Sequence, residues 1–229
     1  MADIKINGAT PSAFYYGGTA ASAVYYGSVK VWEPTPTTAV IGNKTYPTVR
    51  LPDGHVWLAV NLDYAWTGLS VPTSGASSVT TPQAMYYNYD EATYGWSGSQ
   101  RGLLYNWYAV DYLQTNRATL CPGWHVPTRD EFEAVCTGIG DWTHGDKLKS
   151  TSGWRDNGNG TDDYGFAAYP SGVYSGGFGS ATAQVNFWTQ TTYNTTTSYN
   201  FYLAYNSPNF YSYYSNDKSQ YSVRLIKDY

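Results

Sequence analysis

The sequence predicts an α+β domain of small antiparallel sheets, few short helices and irregular loops, preceded by a short β element. Three observations carry that expectation. A hairpin pattern with a Pro-Asp-Gly turn lies near residue 53. One segment, residues 129–138, combines a helix start signal with an apolar face at helical spacing. Beyond it glycine recurs every few residues as far as Gly179, and apolar residues near the C-terminus return at period two.

Residues 1–33 hold an internal repeat. Ala13-Phe14-Tyr15-Tyr16-Gly17-Gly18 recurs as Ala23-Val24-Tyr25-Tyr26-Gly27-Ser28. Each copy reads as a strand that stops at glycine. A piece this short cannot bury a core by itself, so it is expected to serve attachment or oligomerisation. Residues 34–39, rich in Pro and Thr, read as a stiff linker. Residues 40–229 form the main domain. There Tyr46–Leu51 and Val56–Val60 flank Pro52-Asp53-Gly54 as a hairpin. Residues 67–84 read as loop, and Gly102–Leu113 is compatible with helix or strand. Thr128 is a helix N-cap with Glu131 as its capping-box partner, and Phe132, Val135 and Cys136 supply the buried face.

Composition excludes several functions. Charged residues are only 13% of the 229 and the net charge is −4, so a phosphate-tracking nucleic-acid binder is not expected. No stretch approaches a membrane span, and Met1-Ala2-Asp3-Ile4-Lys5 does not begin a secretory signal. A soluble protein made in a cytoplasm is expected, with release by lysis or within a particle left open. In that compartment Cys121 and Cys136 read as buried thiols rather than a disulfide.

The C-terminal segment is compositionally unusual. The thirty residues from Thr192 to Tyr221 contain eight Tyr, five Asn, five Ser and four Thr; only Asp217 and Lys218 are charged. Phe201, Leu203 and Tyr205 alternate, as do Tyr221, Val223 and Leu225. These are half-buried strands, which would turn Asn200, Tyr202 and Ala204 outward. Exposed tyrosine gives a large rigid contact area with one hydroxyl. Tyr with Ser, Asn and Gly is also the alphabet of antibody paratopes. The segment therefore reads as a ligand-binding surface rather than filler.

Several ordered motifs resemble one family. They are Thr48-Val49-Arg50-Leu51, Val56 to Leu62, Gly102 to Trp107, Cys121-Pro122-Gly123-Trp124-His125-Val126-Pro127-Thr128, Lys147 to Trp154, Phe187-Trp188 and Tyr221-Ser222-Val223-Arg224. Over roughly residues 40–228 the chain resembles the Fibrobacter-type major paralogous domain, whose fold resembles that of C-type lectins. The tyrosine-rich strands, about 187–224, also resemble the variable region of diversity-generating retroelement proteins, and residues 1–33 resemble an element of phage structural proteins. The resemblance implies a hypervariable receptor-binding or adhesion protein on a phage tail. Its partners would be a bacterial surface protein or glycan and other virion proteins, with homo-oligomerisation left open.

Retroelements of this kind randomise template adenines, commonly in AAC codons. Lys, Gln, Trp, Met and Glu cannot arise that way, so Trp188, Gln190, Lys218 and Gln220 belong to the scaffold. Tyr221 matches a core-facing family aromatic and joins them. The candidate variable positions are Tyr193, Asn194, Tyr199, Tyr202, Ala204, Ser207, Tyr211, Ser212, Tyr213, Tyr214, Ser215 and Asn216. The family often carries a cysteine after the closing Val-Arg; here that position is Leu225, which leaves Cys121 without its usual partner.

Catalytic readings find little support. The lectin-like fold also hosts a sulfatase-modifying oxidase with C-terminal cysteines, but no cysteine follows Cys136. His55, His125 and His144 lack a recognisable nucleophile motif, and His125 reads as a hydrogen-bonded core residue. No enzyme activity and no cofactor are expected. The loop Asp156–Asp163 could offer oxygens to calcium, although Gly158 and Gly160 fall where EF-hand ligands belong. Two other readings stay open: a carbohydrate-binding lectin, and a structural virion subunit whose tyrosines pack on a neighbour.

Overall fold

In the computed structural model, residues 13–16, 19–21, 23–26, 29–32, 35–75, 79–95 and 101–228 are described. Each copy of the N-terminal repeat begins a two-stranded hairpin: β1 (Tyr15–Tyr16) with β2 (Thr19–Ala20), and β3 (Val24–Tyr26) with β4 (Val29–Trp32). The glycine turns between them, Pro34 of the linker and residues 1–12 lie outside the described residues.

The rest is mostly antiparallel, with few short helices. Strands β5 (Thr38–Ile41), β6 (Lys44–Arg50) and β7 (Val56–Leu58) form a meander. The Pro-Asp-Gly turn joins the last two: Gly54 donates to the Leu51 carbonyl at a φ of 86°, which favours glycine. The pairing of β8 (Ala84–Met85) with β9 (Leu104–Asn106) opens a second sheet. A four-residue helix, α1 (Glu91–Tyr94), lies between these strands. The ambiguous stretch Gly102–Leu113 is both strand and helix. It changes at Asn106, whose side chain accepts the Ala109 N–H and so caps α2 (Trp107–Thr115). Helix α3 (Arg117–Leu120) follows directly and was not signalled by periodicity, being one turn long.

Strand β10 (Trp124–His125) ends before Pro127, and α4 (Arg129–Gly138) begins at Thr128 with both capping-box hydrogen bonds formed. Its ends are those read from the sequence. Two short strands, β11 (Val173–Tyr174) and β12 (Phe178–Gly179), precede the long pair β13 (Gln184–Thr192) and β14 (Thr197–Ala204). Then come β15 (Phe210–Asn216), β16 (Gln220–Tyr221) and β17 (Ile226–Lys227). The strands assemble as β10-β17-β7-β6-β5, β12-β11-β16-β9-β8 and β13-β14-β15.

Period-two alternation divides the interior into two cores. In β7, Val56 and Leu58 enter a core with Trp66, Tyr105, Leu113 and Trp188, while Trp57 enters the other with Phe132, Phe187, Phe201 and Phe210. Strand β13 does the same with Trp188 and Phe187, so it is buried on both faces. Each thiol lies in a different core, Cys121 in the first and Cys136 in the second. Burial raises both thiol pKa values to about 12.

Arg224 closes the structure from within. It is fully buried, and Nε donates to Asn61 Oδ1 at 2.9 Å, Nη1 to the Leu58 and Phe166 carbonyls at 2.9 and 2.7 Å, and Nη2 to Ala167 O at 3.2 Å. Its guanidinium lies over the Phe166 ring at 4.4 Å. Burial lowers its pKa to about 9. The Asp162 carboxylate opposes that shift, and the guanidinium stays charged at neutral pH.

Two readings of the C-terminal pattern need correction. Asn200 does not face outward; it is fully buried, held by Asn186 and Ser215. Tyr221, Val223 and Leu225 do not alternate with exposed neighbours, because Ser222 and Arg224 are buried too. Residues 223–225 are not strand, and the polar pair is satisfied internally, so polarity failed as a sign of exposure there.

Candidate ligand-binding surface

The three-stranded sheet β13-β14-β15 carries most of the candidate residues. Its register is Asn186↔Tyr202↔Tyr211, Trp188↔Asn200↔Tyr213 and Ser198↔Ser215. Alternation therefore places Tyr202, Ala204, Tyr211, Tyr213 and Ser215 on one face, with Gln184, Asn186 and Asn200. It places Tyr199, Ser212, Tyr214 and Asn216 on the other, with Phe187, Phe201 and Phe210. Tyr193, Asn194 and Ser207 lie in the connecting turns. The twelve candidates thus occupy two faces of one sheet rather than a single face, because β15 contributes consecutive residues and a strand turns successive side chains oppositely.

On the second face the sequence of β14 changes role along its length. Phe201 stacks on Phe132 of α4 at 4.9 Å and Leu203 is fully buried. Two residues earlier, Tyr199 emerges beside Arg129, whose guanidinium sits 4.6 Å from the ring. Tyr193 and Tyr214 stack at 4.0 Å and 7°, and Tyr213 stacks on Tyr214 at 5.3 Å and 4°. The neighbouring Tyr193 phenol raises the pKa of Tyr214. Tyr193, Tyr213 and Tyr214 are exposed. Tyr199, Tyr202 and Tyr211 are half-buried, and none of the twelve is fully buried.

On the first face Tyr202 and Tyr211 stack at 4.7 Å and 15°. Beneath them a hydrogen-bonded relay crosses all three strands. Gln184 Nε2 donates to Asn186 Oδ1 at 2.7 Å, Asn186 Nδ2 to Asn200 Oδ1 at 2.9 Å, and Asn200 Nδ2 to Ser215 Oγ at 2.9 Å. Tyr221 closes it with a hydroxyl bond to Ser215 Oγ at 3.0 Å.

The turn from β14 to β15 is fastened from below. Lys149, almost fully buried, donates to the carbonyls of Ala204 and Ser207 at 3.0 and 3.2 Å; burial lowers its pKa. Arg155 lies 4.1 Å over the Tyr205 ring. Gly158 approaches so closely that a Cβ there would sit 2.4 Å from the Tyr205 carbonyl. Asp217, at the far end of β15, accepts the Ser198 hydroxyl at 2.8 Å. The glycine-rich run 153–165 is thus a bed for the tyrosine strands. Sequence reasoning missed Lys149, Arg155, Gln184 and Asn186. The polar-apolar alternation Gln184-Val185-Asn186-Phe187 was the available signal for the last two.

The motifs with chemical potential resolve as follows. His125 is clamped between Glu131 Oε1 at 2.8 Å and Asp228 Oδ1 at 2.7 Å. In the loop Asp156–Asp163, Asp162 accepts the Ala167 N–H at 2.7 Å while Asp156 points toward Arg155. Among the described residues no three His, Cys, Asp or Glu side chains are grouped to hold a metal, and no helix is long and apolar enough to cross a membrane.

The family model described as the Fibrobacter succinogenes major domain matches residues 53–227. The chain belongs to that family. The match takes in the buried Arg224, the capped helix α4 and all three strands of the tyrosine sheet, but starts after β5 and β6. No curated protein and no solved structure matches the chain. All twelve candidate residues lie within this Fibrobacter succinogenes major domain.

Proposed function

We propose that the chain is the variable ligand-binding protein of a diversity-generating retroelement. On this reading it has a C-type lectin-like scaffold and rides on a phage tail. Its exposed Tyr, Ser and Asn residues attach to a protein or glycan of the bacterial surface. The protein binds and does not catalyse. Residues 1–33 attach it to the particle or to further copies.

One observation carries this reading. The exposed rings of Tyr193, Tyr213 and Tyr214 form a continuous parallel stack on strands whose backbone is fixed by buried residues outside the candidate set. Such a surface can change its side chains without losing its support. A few anchoring tyrosines would each contribute about 2 kcal/mol to binding, and nearby Ser and Asn would adapt hydrogen bonds.

The test is a triple variant, Tyr211→Ala, Tyr213→Ala and Tyr214→Ala, applied as labelled protein to cells of the bacterium that its phage infects. Binding should disappear while the melting temperature stays nearly unchanged. Undiminished binding, or collapse of the fold, sinks the proposal. Flanking DNA gives an independent check: a near-identical repeat with adenines at the candidate codons should lie beside a reverse transcriptase gene.

A further inference from the structure

The first face of the tyrosine sheet contains a cleft of about 250 Å³, lined by Gln184, Asn186, Tyr202, Tyr213, Ser215 and Tyr221. Pockets for drug-sized ligands run to roughly 300–1,000 Å³, so this smaller space suits one small ring. None of its six lining residues carries a formal charge. A charged ligand would shed water there without gaining a counter-charge, which is unfavourable.

The relay beneath the cleft fixes which hydrogen bonds remain on offer. Ser215 Oγ accepts from both Asn200 and Tyr221, so its own proton is free to donate into the cleft. At the other end Gln184 spends an N–H on Asn186, which leaves its carbonyl oxygen as an acceptor. The hydroxyls of Tyr202 and Tyr213 have no partner among the described residues and can both donate and accept. The cleft thus pairs an aromatic wall with donors and acceptors at opposite ends of an uncharged floor.

We propose that this cleft holds a single neutral pyranose ring, without a metal ion. The apolar C–H face of the sugar lies on a tyrosine ring. Its hydroxyls, each donor and acceptor, bridge Ser215 and Gln184. This inference rests on the ligand-binding reading above and names a ligand class for one part of that surface. Gln184, Asn186 and Tyr221 lie outside the candidate variable set, whereas Tyr202, Tyr213 and Ser215 lie within it. The constant Gln184, Asn186 and Tyr221 select a neutral sugar, and the exchangeable Tyr202, Tyr213 and Ser215 select among such sugars.

The test titrates the full chain with methyl glycosides of glucose, galactose, mannose and N-acetylglucosamine. Glucuronate and glucose 6-phosphate serve as charged controls, and each titration is repeated with EDTA. Calorimetry and saturation-transfer NMR report binding. At least one neutral glycoside should bind with a millimolar Kd, unaffected by EDTA, and the charged sugars should not bind. Ser215→Ala and Tyr213→Ala should each weaken it about tenfold; Tyr213→Ala should keep the melting temperature, whereas Ser215→Ala, which leaves Asn200 Nδ2 and the Tyr221 hydroxyl without their acceptor, should lower it by a few degrees while the chain still folds. Gln184→Leu, which removes the acceptor, should weaken binding to the same extent. The inference is overturned by failure of all four neutral glycosides, by loss of binding in EDTA, or by binding that survives all three substitutions. Cell attachment that depends on the tyrosines, with no glycoside bound, would leave the functional proposal standing and end this one. A glycoside bound in the cleft without any cell attachment would do the reverse.

Discussion

Residues 210–216 and 219–226 are near neighbours in the chain and similar in polarity, yet they do opposite things. From Ser219 to Ile226 every residue is buried, including Ser222, Gln220 and Arg224. From Tyr211 to Asn216 none is buried. The difference lies in where polar atoms find partners. Arg224 places its donors on oxygens of Leu58, Asn61, Phe166 and Ala167, tying the C-terminus to two distant parts of the chain. The hydroxyls of Tyr202 and Tyr213 are tied to no hydrogen-bond partner among the described residues, and that of Tyr214 meets only the exposed Tyr193 phenol. Burial of polarity is thus bought with specific partners, and exchangeability follows from lacking them.

The strongest way to break this contrast is Arg224→Met. The substitution leaves four buried oxygens without their donors, and removing one partner of a buried charged network costs about 3–5 kcal/mol. For a chain of this size the melting temperature should fall by about 10 °C. Arg224→Lys should rescue little, because an ammonium cannot span the same fork of acceptors. A loss of only a degree or two in either variant would show that the guanidinium is dispensable and the contrast misplaced.

The legible and illegible parts of the sequence follow the same division. Helix α4 was readable to its last residue because Thr128, Glu131 and the apolar face at Phe132, Val135 and Cys136 are all local signals. The Pro-Asp-Gly hairpin was readable for the same reason. Asn200 was misjudged because its partners, Asn186 and Ser215, are 14 and 15 residues away, and polarity alone says nothing about a distant amide. The division of candidates between two faces was also hidden. It follows once Tyr211 to Asn216 are known to lie in one continuous strand, β15, which the sequence does not state. The role of Lys149 was not legible, since only the folded chain brings the Ala204 and Ser207 carbonyls over it.

A smaller effect sharpens the boundary between frame and surface at the start of α4. Burial alone would lower the pKa of His125 and raise those of Glu131 and Asp228. Their hydrogen bonds and charges reverse all three shifts, so His125 is raised and both carboxylates are lowered; Arg117 also faces Asp228. The carboxylate contribution is present above about pH 4 and lost as pH falls further. The histidine contribution is present below about pH 6.5 and lost as pH rises through its elevated folded value. Stability from this clamp should therefore peak between those limits. His125→Gln should cost about 2 kcal/mol at pH 6 and much less at pH 9, as read by urea denaturation at both pH values. An equal cost at both would mean that the ring contributes packing rather than charge.

The smallest expected change in stability belongs to Tyr213, which is 56% exposed. Its ring rests on Tyr214 and lines the cleft, but no buried atom depends on it. Tyr213→Ala should alter unfolding stability by no more than about 0.5 kcal/mol. Asn200→Ala, one register step away, should cost about 2 kcal/mol, because it leaves Asn186 Nδ2 without its acceptor and Ser215 Oγ without one of its two donors. The two residues are direct partners across β14 and β15, so the comparison is made at one place in the sheet. If their costs proved equal, the support beneath the tyrosines would be no stiffer than the tyrosines themselves. The amide relay would then be a passenger on the surface rather than its foundation.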